Sequence, residues 1–357
     1  MHALARVDAV ALGLAAAGQP ARAAAALKAT LPGWPDLPLG PALDVLGEPR
    51  PQAAAHWRDE ARVALAQAAA SGFDVLWPAH PHYPPWLATI IDPPLLLWIH
   101  GDVSCLRGPL VALVGSRQAT SAGREVAHAL AADLAAAGVV VASGFARGID
   151  AAAHRGALTR GRSVAVLGCG LDVPYPSDHG ELRRQLSASG LFVSEFPPGT
   201  PPQPHHFPLR NRTLSGLCQA VVVVQAAERS GSLITARLAL EQGREVLAVP
   251  GDVRTGTNAG GHALIRDGAR LVERASDVLE ELGWLADGRA GGSGDGPAAG
   301  ASLPAILARE DGMTLDDLLA ETGRSLPDLL AELLDLELAG LVRRDGAGRF
   351  LPSERKW

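Results

Sequence analysis

Six short apolar runs punctuate the middle of the chain: Leu110–Val114, Val139–Ala142, Val164–Leu167, Leu191–Val193, Ala220–Val224 and Val246–Val249. Each is apolar throughout, with no polar alternation. Strands buried on both faces have this pattern, and parallel sheets bury both faces. Segments with helical apolar spacing separate the runs, among them Ala122–Ala137, Asp150–Leu158 and Leu233–Gln242. Strand and helix in repeated alternation predict an α/β fold, a Rossmann-like, doubly wound, mostly parallel sheet. Aromatic residues make up only 4% of the chain, so Ala, Val and Leu must fill its core.

The flanks differ from the middle. Residues 1–80 are Ala-rich, have helical spacing and are broken at Pro32-Gly33 and Pro49, which predicts a small helical N-terminal domain. Residues 81–109 form a Pro-rich approach containing the apolar run Leu95–Ile99, and lead into a core that extends to residue 285. The Gly/Ala/Ser-rich stretch 286–302 reads as a flexible linker. Beyond it, Leu303–Arg309, Leu315–Ala320 and Leu326–Ala339 have helical spacing, and Leu341–Phe350 forms a hairpin pattern turning at Asp345-Gly346. Three helices and a hairpin over 303–357 fit a winged helix. Its third helix carries Asp328, Glu332, Asp335 and Glu337 and no basic residue, which suits a protein partner better than a phosphate backbone.

Several function classes are excluded by what is missing. The three cysteines, Cys105, Cys169 and Cys218, are far apart and have no CxxC spacing, so neither a disulfide framework nor a zinc site is expected. No stretch of eighteen apolar residues and no leader pattern occurs, which predicts a soluble cytoplasmic protein with no membrane association. The only lysines are Lys28 and Lys356, so the core offers no Schiff-base or P-loop lysine. Net charge is −6, but residues 110–273 hold 16 arginines against 13 acids, while 301–357 hold 7 basic and 11 acidic residues. The middle of the chain can attract phosphate and the tail cannot.

Ligands of doubly wound sheets bind outside the carboxyl ends of the strands. The residues that follow the runs there are small and in two cases include arginine: Gly115-Ser116-Arg117, then Ser143–Asp150 with Arg147, then Gly168–Asp172, then Ser230-Gly231-Ser232. Free amides where such loops open helices bind anions, and arginines add bidentate phosphate contacts. The dinucleotide fingerprint fails because Val173 stands where its third glycine belongs, and neither a P-loop nor a GxSxG elbow occurs. Between the fourth and fifth runs, a Pro-rich loop leads into His205-His206-Phe207-Pro208-Leu209-Arg210-Asn211-Arg212. An aromatic ring among arginines is the composition of a base-stacking platform that holds a nucleic-acid backbone. Adjacent histidines with no third ligand nearby make a poor metal site, so no metal and no cofactor are expected. Asp150, Asp172 and Glu195, each at a strand end, read as helix caps.

These segments, GSR, SGFARGIDAAAH, LGCGLDVPYP, SEFPPGTPP with HHFPLRNRTLSGL, and SGSLITARLALEQGREVLAVPG, resemble the DNA-processing (DprA/Smf) family over about residues 80–275. The resemblance implies a SAM-like N-terminal domain, a Rossmann-like core and a winged-helix tail. It also implies a homodimer that binds single-stranded DNA, protects incoming DNA in natural transformation and helps load the RecA recombinase. The family's motifs fall here on Arg117, on Phe207, Pro208, Arg210, Asn211 and Arg212, and on Ser230–Ala236. The chain departs from the family at His179, Cys218, Gln225 and His262, and none of these removes an arginine or aromatic ring of the motifs. The alternative is a nucleotide-binding enzyme resembling the phosphoribohydrolases, which carry PGGxGTxxE after a strand. The equivalent loop here, SGSLITARLALE, has neither the glycine pair nor a Glu at that offset, so no catalysis is expected.

Overall fold

In the computed structural model the described residues are 6–17, 20–31, 39–47, 51–284 and, in the tail, 313–314, 317–318, 329, 333, 342–344 and 349–352. Residues 1–291 form one compact unit and residues 292–357 a second.

Four helices lead the first unit: α1 (Arg6–Ala15), α2 (Pro20–Thr30), α3 (Leu39–Val45) and α4 (Pro51–Ala70). They are followed by β1 (Asp74–Leu76), α5 (Pro85–Thr89) and β2 (Leu97–Gly101). The alternation then runs β3 (Leu110–Gly115), α6 (Ser121–Ala136), β4 (Val140–Ser143), α7 (Ile149–Ala157), β5 (Ser163–Leu167), α8 (Gly180–Ser189) and β6 (Leu191–Ser194). It continues with α9 (His206–Leu217), β7 (Ala220–Gln225), α10 (Ser232–Glu241), β8 (Glu245–Ala248), α11 (Ala259–Arg266), β9 (Arg270–Leu271) and α12 (Ala275–Glu281). All six apolar runs are strands, β3 to β8.

The nine strands form one sheet in the order β1-β2-β6-β5-β4-β3-β7-β8-β9. The seven strands from β6 to β9 are parallel; β2 joins β6 antiparallel, with Ile99 opposite Val193, and β1 joins β2 antiparallel. The chain winds outward from β3 to β6, then returns to β7 on the other side of β3. The topological switch point is therefore between β3 and β7.

Strand alternation divides the core into two faces. Leu110, Ala112 and Val114 point to the layer holding Leu214, Leu217, Ala236 and Ala239 of α9 and α10. Val111 and Leu113 point to the layer holding Ala127, Leu130, Ala131, Leu134 and Ala135 of α6, a spacing of three and four residues that makes one helical face. The helices of residues 1–80, read from the sequence as a separate domain, share a core with the sheet. Val10, Leu27 and Leu43 belong to one cluster with Trp98, Phe145 and Phe192. Leu96 packs so tightly against Gly13 that a Cβ there would lie 2.2 Å from its Cδ1. Compactness therefore does not break at residue 80.

In the second unit, β10 (Val342–Arg344) and β11 (Phe350–Pro352) pair antiparallel, and Met313 bridges to Phe350. Met313, Leu318, Leu329, Leu333, Val342 and Phe350 are buried. The 286–302 linker, the Asp345-Gly346 turn and most of the acidic helix Leu326–Ala339 lie outside the described residues. No helix among the described residues is long and apolar enough to cross a membrane.

Candidate nucleic-acid interface

The loops after β3 and β4 and the amino ends of α9 and α10 meet over the switch point, where they enclose a cleft of about 550 Å³. Its lining includes Gly115, Ser116, Arg117, Phe207, Arg210, Asn211, Ser230, Gly231 and Ser232. A neighbouring cleft of about 350 Å³ is lined by Arg147 and also by Arg117, Phe207 and Arg210, which border both. Ten of the eleven residues singled out from the sequence thus line one cleft or the other. Arg212 lines neither.

The reason lies in α9. The segment around Phe207, read as part of a Pro-rich loop, is the first half of this helix. Phe207, Arg210, Asn211 and Leu214 are three, four and seven residues apart and share the face that lines the larger cleft. Arg212 follows Arg210 by two residues, roughly 200° around the helix, and so points into the protein. There its Nη1 donates to the Asp92 carboxylate (2.9 Å) and backbone carbonyl (2.7 Å), and its Nη2 donates to Glu195 (2.5 Å). The side chains of Arg212 and Glu195 are only 6% and 5% exposed. Arg212 belongs to a buried ion-pair network, which corrects its assignment to the binding surface. Glu195, read as a helix cap, is the other half of that network and also accepts from the Thr213 hydroxyl. Burial raises the Glu195 carboxyl above its ordinary range, and Arg212 opposes the shift.

Arg210 is buried beneath the cleft floor. Its Nη1 donates to the carbonyls of Gly144 and of Val166 (2.8 Å), and its Nε donates to Asn211 Oδ1 (3.1 Å). A Cβ at position 144 would lie 2.1 Å from Nη1, so only glycine lets the guanidinium in. Burial lowers the Arg210 pKa from its ordinary value, and the nearby Asp150 carboxylate opposes this. Asp150, the one acid among the described lining residues of either cleft, accepts the Ala146 amide (3.2 Å); its pKa is raised by burial against the pull of Arg210.

Arg117 differs in being exposed. Its guanidinium has no hydrogen-bonding or ion-pairing partner among the described residues, and it lies over the Phe207 ring at 4.9 Å. Gly148 brings its loop close: its φ is +79°, and a Cβ there would lie 2.2 Å from the Ser116 carbonyl oxygen. Arg147 is also exposed, but pairs with Asp178 at 2.9 Å. The amino end of α10, with Ser230, Gly231 and Ser232, faces the cleft; Ser230 closes it, its Oγ accepting the Ser232 amide (3.4 Å) and its carbonyl the Leu233 amide (3.1 Å). The helix dipole favours an anion there.

The polar departures in sequence serve the scaffold. The buried Gln225 Oε1 accepts the Thr120 amide (3.0 Å) at the start of α6, and His179 packs edge-on against Phe145. His206 stacks on Phe196 with centroids 4.0 Å apart. Among the described residues no cluster of three His, Cys, Asp or Glu is placed to hold a metal ion.

Residues 74–283 match the family model of DNA recombination-mediator protein A, and residues 296–348 match that of the DprA winged helix domain. Protein Smf of Escherichia coli (strain K12) is 43% identical over 270 residues, covering 73% of this chain and 72% of that protein. The structure of DNA processing protein A from Streptococcus pneumoniae superposes with a TM-score of 0.69 at 34% identity, over 78% of this chain and 99% of that one. DNA processing protein A from Helicobacter pylori, described for its single-stranded DNA binding mode, superposes with a TM-score of 0.54 at 28% identity, over 60% and 96% of the two chains. This chain belongs to the DNA recombination-mediator protein A family, also named DprA or Smf.

Proposed function

We propose that this protein binds single-stranded DNA in the cleft over the switch point, with Arg117, Arg210 and the amino end of α10 holding phosphates and Phe207 stacking a base. The observation that carries the reading is the convergence of an unpaired arginine, a buried arginine, an aromatic ring and the positive end of a helix on one cleft with a single acid. Backbone cations and a π-face fit single strands of any sequence. The binding described for the Helicobacter pylori relative supports the same partner. In this reading the protein is a cytoplasmic homodimer that protects incoming DNA and helps load the RecA recombinase. It works by binding and not by turnover, since the cleft's one acid is engaged by the Ala146 amide and Arg210.

Paired substitutions test the placement. Arg117→Ala weakens binding of a single-stranded oligonucleotide, measured by fluorescence anisotropy. Arg124→Ala, at a residue of α6 whose side chain turns back to the Ala119 carbonyl ahead of the helix, leaves it unchanged. Equal affinities for both variants and the wild type would place the DNA elsewhere.

A further inference from the structure

We propose that the site has two nucleotide chambers divided by Phe207, and that Tyr175 is the stacking platform of the second. The inference rests on the single-strand reading above and deepens it. The smaller cleft holds about 350 Å³ and the larger about 550 Å³. Each falls within the range of a site for one small ligand, about 300–1,000 Å³. Three arginines, Arg117, Arg147 and Arg210, border the smaller chamber, and none of its described lining residues is acidic. Its two aromatic rings other than the buried Phe145 are Phe207, on the dividing wall, and Tyr175, on the loop after β5.

Tyr175 is not explained by packing. It is 37% exposed in a protein with only two tyrosines. Its hydroxyl has no hydrogen-bond partner among the described residues, whereas the buried Tyr83 donates to the Pro94 carbonyl at 2.7 Å. Its ring approaches Phe207 with centroids 6.0 Å apart and a tilt of 44°, so both rings front the same chamber. An exposed ring beside three arginines, of which only Arg147 is paired with an exposed acid, Asp178, suits a nucleobase with its phosphate attached. Successive bases of one strand would then stack on Phe207 and Tyr175. The phosphate between them would pass Arg117 and Arg210, the two cations that border both chambers.

The test compares thymidine monophosphate, a thymidine dinucleotide and longer oligothymidylates on the full chain, by calorimetry and anisotropy. The wild type should gain affinity from mononucleotide to dinucleotide. Tyr175→Ala should lose about tenfold on the dinucleotide and longer strands. Tyr175→Phe should bind like the wild type, and Tyr175→Leu, apolar but without a π-face, should bind like the alanine variant. A 2-aminopurine base in the second position should lose its quenching in the alanine and leucine variants alone. Wild-type affinity and quenching in Tyr175→Ala, or full rescue by leucine, would overturn the second chamber. Phe207→Ala and Arg117→Ala run in parallel separate the two levels. If they weaken binding and Tyr175→Ala does not, only the second chamber falls; if they bind as the wild type does, the reading of the whole cleft falls.

Discussion

Arg212→Ala should damage the fold and spare the binding surface. The substitution leaves the Glu195 carboxylate, 5% exposed, and Asp92, 20% exposed, without their cation. Removing one partner of a buried ion pair costs about 3–5 kcal/mol, chiefly because the other charge stays buried. A whole domain is stable by only about 5–15 kcal/mol, so the loss is large. It also depends on pH in a definite direction. Burial already holds the Glu195 pKa above its ordinary value, and Arg212 restrains it. Without Arg212 the pKa rises further, and a carboxyl with a raised folded-state pKa destabilises the fold as pH climbs above its unfolded value, about 4.3. The deficit should therefore be smaller at pH 5 than at pH 8. Urea unfolding followed by tryptophan fluorescence measures it, and oligonucleotide binding is read at a temperature where the variant remains folded. The double variant Arg212→Ala/Glu195→Gln should lose less than the two single variants added together. An unchanged urea midpoint together with lost DNA binding would refute the reasoning and return Arg212 to the interface.

Gly144→Ala should displace the Arg210 guanidinium, because the new methyl would lie 2.1 Å from Nη1; losing one charge-assisted contact should weaken oligonucleotide binding by about 1.5–3 kcal/mol, and unchanged affinity by anisotropy would contradict this. His154 is fully buried beside Ser163 (2.7 Å), and burial pulls its pKa down to about 3. The unfolded chain protonates it near pH 6.5 while the native state does not, so stability should fall by at most about 1.4 kcal/mol per pH unit from there toward pH 3. Urea midpoints across that range should show the slope in the wild type and a flatter one in His154→Leu; equal slopes would exclude His154 as the cause.

The sheet was legible because its signal is local. Six uninterrupted apolar runs became β3 to β8, and the helix windows between them fell within a residue or two of α6, α7 and α10. The strands added at either edge were harder. A single run such as Leu95–Ile99 does not reveal which strand β2 will join, and β9 consists of two exposed residues, Arg270 and Leu271. The prolines before and within His205–Arg212 hide the helix there, yet Pro208 sits in the first turn of α9, where its missing N–H costs nothing. Read as a helix, the same letters would have separated Arg210 from Arg212. The burial of Arg212 could not have been read at all, since its partners Glu195 and Asp92 are 17 and 120 residues away in sequence. Tyr175 did carry a signal that went unused, as one of only two tyrosines and on a loop at a strand's carboxyl end.

In the proposed function, the cleft between the β3 and β7 loops takes a single strand through Phe207 and its neighbouring arginines. This binding is tested most directly by titrating the wild type and Phe207→Ala with single-stranded and duplex oligonucleotides of the same sequence at one fixed salt concentration. The wild type should bind the single strand more tightly than the duplex, and Phe207→Ala should lose about 1–3 kcal/mol on the single strand with its melting temperature nearly unchanged. Equal affinity of the wild type for both DNAs, or a Phe207→Ala variant that melts early and still binds the single strand fully, would contradict the account.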